Sequence, residues 1–482
     1  MNMLKVTAMD QASLNLMKQR AEELLEQRGV TIDHPELCAV LAEKGCIAEG
    51  DHVFFPRELI AKALAAVPAS FTLASPSGEH DLVFPHPRGG FYTRTNTGAP
   101  NYRTPDGDTH SFRLEEAESW FILANSLKNI DFVALPSIAG AENVPLAAVD
   151  LYALERALQV SKKHIWIQPY ETESVQGLID MAAAAAGGLE QLQKRPIVSF
   201  IACSVPLLTF KHMDAEILLR CARAGVPVQP CSLPTAGANT PVTAPGTALV
   251  CCAEVLAMIV MLQLICPGLP VIATPLPFSM DMMTTYTLQS APEIALCRLL
   301  CMQFFEEGYG IRAHTYATGT DSLTLDGQNL MERTSLAHML ALSGGSVLGG
   351  AGQIETAKTN CPLTLITDDE LFGIAQRLRQ GVVVDDEMMD TEELFGDPEE
   401  LEDGFIVTEH TLRHYKEFTR PALFSRVGMS SWLEAGALTF EDRVRARYEE
   451  LLQNPVRHQL DEITANALDA AFRKAVSDVC TK

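Results

Sequence analysis

Residues 310–355 read GIRAHTYATGTDSLTLDGQNLMERTSLAHMLALSGGSVLGGAGQIE. The run Gly310–Thr318 has strand character and stops at the polar cluster Gly319-Thr320-Asp321-Ser322. A helical pattern follows over Asp326–Leu342. A second short strand, Gly345–Leu348, ends in Gly349-Gly350-Ala351-Gly352-Gln353. This is a βαβ unit with polar and glycine residues gathered where strands stop. In parallel α/β sheets and barrels that edge is where ligands sit.

The same alternation extends upstream. Strand candidates are Gly90–Arg94, Ile130–Leu135, His164–Gln168, Pro196–Ile201, Pro227–Cys231 and Pro270–Thr274. Helical patterns separate them over Leu114–Leu127, Ala147–Val160, Thr172–Ala186, Met213–Ala224, Thr247–Ile265 and Pro292–Gly308. With the opening unit this makes eight strands alternating with helices, the arithmetic of a (β/α)8 barrel. The strands are apolar without alternation, as parallel strands covered by helices are. A doubly wound open sheet is the alternative, but no G-x-G-x-x-G follows a strand to support its dinucleotide form.

The expected organisation has three parts. Residues 1–88 form an N-terminal α+β extension of three helices and a short hairpin, and residues 89–383 form the barrel. Residues 384–482 hold an acidic segment and C-terminal helices. The acidic run Asp385–Asp403 contains no Lys or Arg. It reads as a solvated surface segment or a docking surface for a basic partner. The aromatic and basic stretch Arg413–Phe424 is expected to pack on the barrel or at a subunit interface.

Composition narrows the function classes. The chain has 482 residues, 47% apolar and 20% charged, with a net charge of −24. Nucleic-acid surfaces need clustered Lys and Arg, so that class is set aside. The N-terminus lacks an apolar signal core, and the apolar stretch Thr243–Leu269 carries Glu254 and reads as a buried helix rather than a membrane span. Twelve Cys without a C-x-x-C pair read as buried thiols. A cytoplasmic chain without nucleic-acid or membrane partners is expected.

Strand C-termini name the candidate site. They carry Tyr92, Arg94, Asn96, Gln168, Tyr170, Phe278, His314, Tyr316, Asp321 and Gln353. The inventory is aromatic, amide and hydroxyl, and holds no metal-ligand spacing. A quaternary ammonium offers no N–H and is held by ring faces, so Tyr92, Tyr170, Phe278 and Tyr316 are the expected cage. Gly349, Gly350 and Gly352 read as an anion-binding nest or as clearance for a bulky neighbour.

At these residues the sequence resembles the trimethylamine methyltransferase family, in the branch without pyrrolysine that includes glycine betaine:corrinoid methyltransferases. The resemblance is carried by Gly29-Val30-Thr31-Ile32-Asp33-His34-Pro35, Asn129-Ile130-Asp131-Phe132-Val133, Pro245-Gly246-Thr247-Ala248-Leu249 and Met280-Asp281-Met282. It continues in Gly319-Thr320-Asp321-Ser322, Asp326 and Gln328, His410-Thr411-Leu412-Arg413-His414-Tyr415 and Arg420-Pro421-Ala422-Leu423-Phe424. It implies a barrel whose mouth meets a separate corrinoid protein, so that methylcobalamin is carried by the partner and no cofactor is held tightly by this chain. It implies transfer of an N-methyl group from a quaternary amine to Co(I) of that partner. The leaving tertiary amine needs no proton, so no acid–base residue is required. A betaine carboxylate would meet Arg94, His314, Asn96, Gln168 or Gln353, and Asp321 would orient neighbours or attract the ammonium. Gly349, Gly350 and Gly352 would then clear a corrin face.

Strand one, Tyr92-Thr93-Arg94-Thr95-Asn96, departs from the small, glycine-rich form of many relatives. Arg94 there suits a more distant carboxylate, as in proline betaine, carnitine or γ-butyrobetaine, as well as glycine betaine. A homo-oligomer is expected. Two other readings stand beside this one: a barrel lyase or isomerase using Asp321 or His314 as base, and a non-catalytic betaine-binding protein.

Overall fold

A computed structural model describes residues 4–138, 144–396 and 404–481. Residues 397–403 of the acidic run lie outside the described residues. Eight parallel strands form the centre: β1 (Tyr92–Thr95), β2 (Phe132–Ala134), β3 (His164–Ile167), β4 (Val198–Ser204), β5 (Val228–Ser232), β6 (Thr274–Pro275), β7 (His314–Tyr316) and β8 (Val347–Ala351). Their neighbour order is β6-β5-β4-β3-β2-β1-β8-β7. A parallel bridge between Ala273 and Ala313 joins the ends. There Ala273 N donates to Arg312 O at 2.9 Å and His314 N to Ala273 O at 2.8 Å. The sheet is thus a closed (β/α)8 barrel, as its apolar, two-sided strands require.

Two strands differ from the sequence reading in a way that moves the site. β1 begins at Tyr92, and β8 runs through Gly349 and Gly350 to Ala351. Gly is a poor strand former in isolation. Here it pairs with β1 and β7 on both sides, with a register shift between Leu348 and Ala351. Pairing on two edges outweighs the propensity.

The N-terminal end of the barrel is closed by a hairpin, Phe71–Leu73 with Leu82–Phe84. Phe71 stacks on Phe84, and Phe84 meets the ring of Tyr92 edge-on. Three short strands missed by the sequence reading, Val30–Ile32, Ile47–Glu49 and His52–Phe54, join Thr209–Phe210 in a four-stranded sheet. Three-residue strands carry too few residues for a period-2 pattern. They fasten the N-terminal extension to the loop after β4. Two further small sheets overhang the strand C-termini: Gln353–Ile354, Thr359–Asn360, Asn101–Arg103 and Thr109–Ser111 form one, and Thr235–Ala236, Phe278–Met280 and Thr287–Leu288 the other.

The helix Ala244–Ile265 is long and apolar enough to cross a membrane, but 83% of its most apolar stretch is buried inside the protein. Its Glu254 accepts from Ser204 Oγ and Ser232 Oγ, both at 2.6 Å, and from Leu208 N at 2.7 Å. One carboxylate thereby ties the ends of β4 and β5 together. After β8 the helix Pro362–Gln380 runs back down the outside. Its Asp368 pairs with the fully buried Arg333 at 2.7 Å and accepts from Gly352 N at 2.7 Å. The C-terminal helix Glu462–Cys480 lies on Ser174–Ala186, so close that a Cβ on Gly177 would stand 2.7 Å from that of Ala475.

Candidate active site

Arg94, the third residue of β1, points into the barrel and is 0% exposed. Its Nε donates to His314 Nε2 at 3.1 Å and its Nη1 to Thr95 O at 2.7 Å. Its Cζ lies 3.6 Å from the centre of the Trp166 ring and 5.4 Å from that of Tyr316. Nη2 is buried with no hydrogen-bond partner. Among the described residues no carboxylate pairs with this guanidinium. Burial lowers its pKa to about 10, with Tyr316 and Cys231 opposing the shift. Arg94 is therefore a desolvated cation at neutral pH, stacked on an aromatic face and short of one acceptor.

His314 is equally buried. Its Nε2 accepts from Arg94, so the proton of the neutral ring sits on Nδ1, which has no partner. Burial and the adjacent guanidinium hold its pKa well below the usual imidazole value. The ring meets Trp166 and Tyr316 edge-on, and Tyr316 meets Phe278 edge-on at 6.4 Å. Tyr170 follows β3, anchored by its amide to Asp150 Oδ2 at 2.7 Å. Its hydroxyl is buried without a hydrogen-bond partner.

Amides line the next level. Asn96 Nδ2 donates to Asn360 Oδ1 at 3.0 Å, leaving Asn96 Oδ1 and Asn360 Nδ2 unpartnered. Gln289 Nε2 donates to Gln353 Oε1 at 3.1 Å, leaving Gln289 Oε1 and Gln353 Nε2 unpartnered. Gln168 Oε1 accepts from Thr97 Oγ1 at 3.1 Å. Buried polar atoms are normally paired. More than half of the unpaired ones among the described residues belong to strand ends and the loops beyond them. Such a concentration marks a site built to be completed by a ligand.

Asp321, the acid among the candidate residues, is not free. It accepts from Gln289 N at 2.9 Å, from Thr356 Oγ1 at 2.9 Å, and from the amide and hydroxyl of Ser290. It latches the loops after β6, β7 and β8 and so positions Gln289 against Gln353. Glu254 and Asp368 are saturated in the same way.

Two expectations are corrected by position. Tyr92 lies at the start of β1, not its end. Its hydroxyl exchanges hydrogen bonds with Val83 N (3.0 Å) and Val83 O (3.1 Å), at the closed end of the barrel away from the other aromatics. The glycines of β8 give clearance to the chain's own side chains rather than to a corrin face. A Cβ on Gly349 would stand 2.2 Å from His314 Nε2, on Gly350 2.2 Å from Gln353 Nε2, and on Gly352 2.4 Å from the Trp120 ring. Gln289 and Asn360 were not named from the sequence, and Trp166 was read at the end of strand three without a role in the site. Trp166 was reachable: it lies two residues from Gln168, on the same strand face. Gln289 and Asn360 come from loops, where no periodicity marks them.

An open cleft of about 520 Å³, lined by Arg88, Lys128, Asp131, Arg377 and Arg420, lies at the barrel's opposite end and shares none of these residues.

The family described as trimethylamine methyltransferase matches residues 1–477. The chain belongs to that family. It is 26% identical over 451 residues to trimethylamine methyltransferase MttB of Desulfitobacterium hafniense, covering 92% of this chain and 89% of the relative. It is also 26% identical over 443 residues to a glycine betaine methyltransferase of the same species, covering 91% of each. Among solved structures, the monomethylamine methyltransferase of Methanosarcina barkeri shares the fold, with a TM-score of 0.54 and 14% identity over 93% of this chain and 89% of that one. This family member is a methyltransferase, and Arg94 with its neighbours stands at the C-terminal end of the barrel, where enzymes of this fold work.

Proposed function

We propose that this methyltransferase demethylates a quaternary amine of the betaine class and passes the methyl group to the Co(I) of a corrinoid held by a separate protein. The observation that carries the reading is Arg94: a buried, unpaired guanidinium whose free Nη2 lies among aromatic rings. A carboxylate on Nη2 would complete its hydrogen bonding and neutralise it. The quaternary nitrogen would then lie against Tyr316, Phe278 and Tyr170, whose faces attract a cation with no N–H. The amides of Gln353 and Asn360 offer two more donors to a carboxylate, and Asn96 and Gln289 offer acceptors.

Arg94 lies two residues below Asn96 on β1, about 7 Å along the strand. A carboxylate that deep favours a spacer longer than the single methylene of glycine betaine. γ-Butyrobetaine, carnitine and proline betaine are thus the first substrates to test.

The corrinoid, when docked, supplies a nucleophile for an N-methyl carbon. The C–N bond breaks, its electron pair stays on nitrogen, and a neutral tertiary amine leaves. No proton moves, which fits a mouth where Asp321 is saturated and His314 is neutral and engaged. The same two observations weigh against a lyase or isomerase, since each proposed base already holds a partner. The chain's own part is to orient the methyl group and exclude water. The mouth also carries a rim for a partner. Leu207, Val242, Met282, Met283, Tyr286 and Leu323, all in loops after the strands, are exposed, Met283 by 94%. Such patches mark protein contacts.

Reduced corrinoid protein, this enzyme and each betaine are mixed, and methyl-cobalt absorbance is followed. Transfer from a carboxylated quaternary amine is expected, with none from trimethylamine or tetramethylammonium. Transfer only from amines lacking a carboxylate would overturn the reading.

A further inference from the structure

The cleft of about 520 Å³ at the closed end of the barrel carries a charge opposite to that of the chain. The sequence has 37 Lys and Arg against 61 Asp and Glu. The cleft reverses that balance: Arg88, Lys128, Arg377, Arg379 and Arg420 line it beside two carboxylates, Asp131 and Glu370. The cations come from the loop before β1, the turn before β2, the end of the helix Pro362–Gln380 and the C-terminal segment. Convergence from separate elements differs from the charge scatter of one solvated helix face.

Neither carboxylate neutralises these cations. Asp131 Oδ2 accepts from Thr93 N at 2.8 Å and from Thr93 Oγ1 at 3.3 Å, and burial raises its pKa to about 6. Glu370 accepts from Ala422 N and Leu423 N at 2.9 and 3.1 Å. Arg379 donates to the carbonyls of Gly89, Ala341, Gly344 and Gly345, and Arg377 Nη1 to Gly381 O at 2.8 Å. A carbonyl satisfies an N–H but leaves the charge uncompensated. Among the described residues none of the five forms an ion pair, whereas Arg312, Arg413 and Arg447 pair with Glu306, Glu387 and Glu450. His86, on the same wall, reports the field. Its Nδ1 accepts from Gly90 N at 3.0 Å and Arg88 N at 3.2 Å, so the neutral ring carries its proton on Nε2. Burial, then Arg88 and Arg379, lower its pKa.

We infer that this cleft binds a small anion carrying two or more phosphate groups, separately from the betaine site at the mouth. Guanidinium forks match phosphate oxygens two at a time, and a lysine adds a point charge. The cleft's volume lies in the range of roughly 300–1,000 Å³ found for small-molecule sites. Cations on separate elements call for more than one phosphate. The wall sets the rest of the class. Among its described liners only Phe91 and Ile374 are large and apolar, and Phe91 is fully buried. That leaves no ring face to stack an aromatic base and no trough for a lipid chain. The occupant is therefore compact and polar, either an inorganic polyphosphate or a sugar bisphosphate. It would replace the mutual repulsion of the cations with charge-assisted hydrogen bonds.

Titration calorimetry of the full chain with pyrophosphate and with fructose 1,6-bisphosphate is the test, and the tighter of the two names the source. Saturable binding is expected, weakened about tenfold or more in Arg88→Gln/Arg420→Gln. It should be unchanged in Arg473→Gln/Lys474→Gln, on the helix Glu462–Cys480. No saturable heat from either probe, or equal weakening in both variants, overturns the inference. So does binding that is lost in Arg94→Met and kept in Arg88→Gln/Arg420→Gln, since the anion would then sit at the mouth. Proton NMR of the unaltered protein guards against a variant that misfolds. A bound anion favours imidazolium, so the His86 pKa is expected to rise on saturation with the probe. Saturation that leaves the His86 titration where it was also overturns the inference.

Discussion

Arg94 is costly where it stands. Removing a guanidinium from water without a counter-charge is unfavourable, and replacing such a group by an apolar one of similar length is often neutral or stabilising. Arg94→Met is therefore expected to leave the melting temperature of the ligand-free enzyme unchanged or raised. It should weaken betaine binding by about 2–5 kcal/mol, the range for truncating one partner of a buried charge pair. Scanning calorimetry and titration calorimetry on the same variant measure the two effects. A lower melting temperature with unchanged affinity would assign Arg94 a structural role instead. The pH dependence follows from the two neighbours. Burial lowers the Arg94 pKa only to about 10, so its charge persists through neutrality and is lost as pH rises through that value. His314 is held below its usual range, so it stays neutral and gains no charge near pH 6.5. Betaine affinity should be flat between about pH 6 and 9 and fall above about 10. An acid limb centred near pH 6.5 would show that His314 titrates.

At the scale of the element, β8 decides how the site is assembled. The sequence reading placed the glycines after the strand and aimed their clearance at a ligand. They lie in the strand, and the clearance admits Arg94, His314 and Gln353. Local propensity favours ending a strand at Gly-Gly, while register is set by β1 and β7, which lie far away in sequence. The same limit misplaced Tyr92, whose strand starts later than its apolar run. Arg94, His314 and Tyr316 were legible because each sits at a strand end whichever way the boundary falls by a residue. Gln289 and Asn360 were not, since loops carry no period. Gly349→Ala tests the element. Its Cβ would meet His314 Nε2 at 2.2 Å and Arg94 Nε at 3.1 Å. His314 is packed against Trp166 and Tyr316 and cannot retreat. A loss of about 1–3 kcal/mol in urea unfolding is expected, along with loss of betaine binding. Gly327→Ala, at the start of the helix Gly327–Ala341 with open space around it, is the control. It should be neutral or stabilise by about 0.4–1 kcal/mol.

At the scale of the whole molecule, the barrel was readable because eight apolar strands alternating with helices permit few other architectures. What periodicity could not reveal was where the remaining apolar surface would face, since that depends on which loops reach which end. The structure separates it into a rim around the mouth and a strap leaving the closed end. The rim is the proposed contact for the corrinoid protein, and that makes its role separable from substrate binding by mutation. Met283 stands 94% exposed at the tip of the hairpin after β6, remote from Arg94 in role. Met283→Asp should leave betaine affinity unchanged, because substrate binding does not depend on the rim. It should lower methyl transfer to corrinoid protein by about tenfold or more, as a charge placed in an apolar contact does. Betaine affinity and methyl transfer falling together in Met283→Asp would mean that the hairpin after β6 also holds the substrate, and the assignment of the rim to the partner alone would fall.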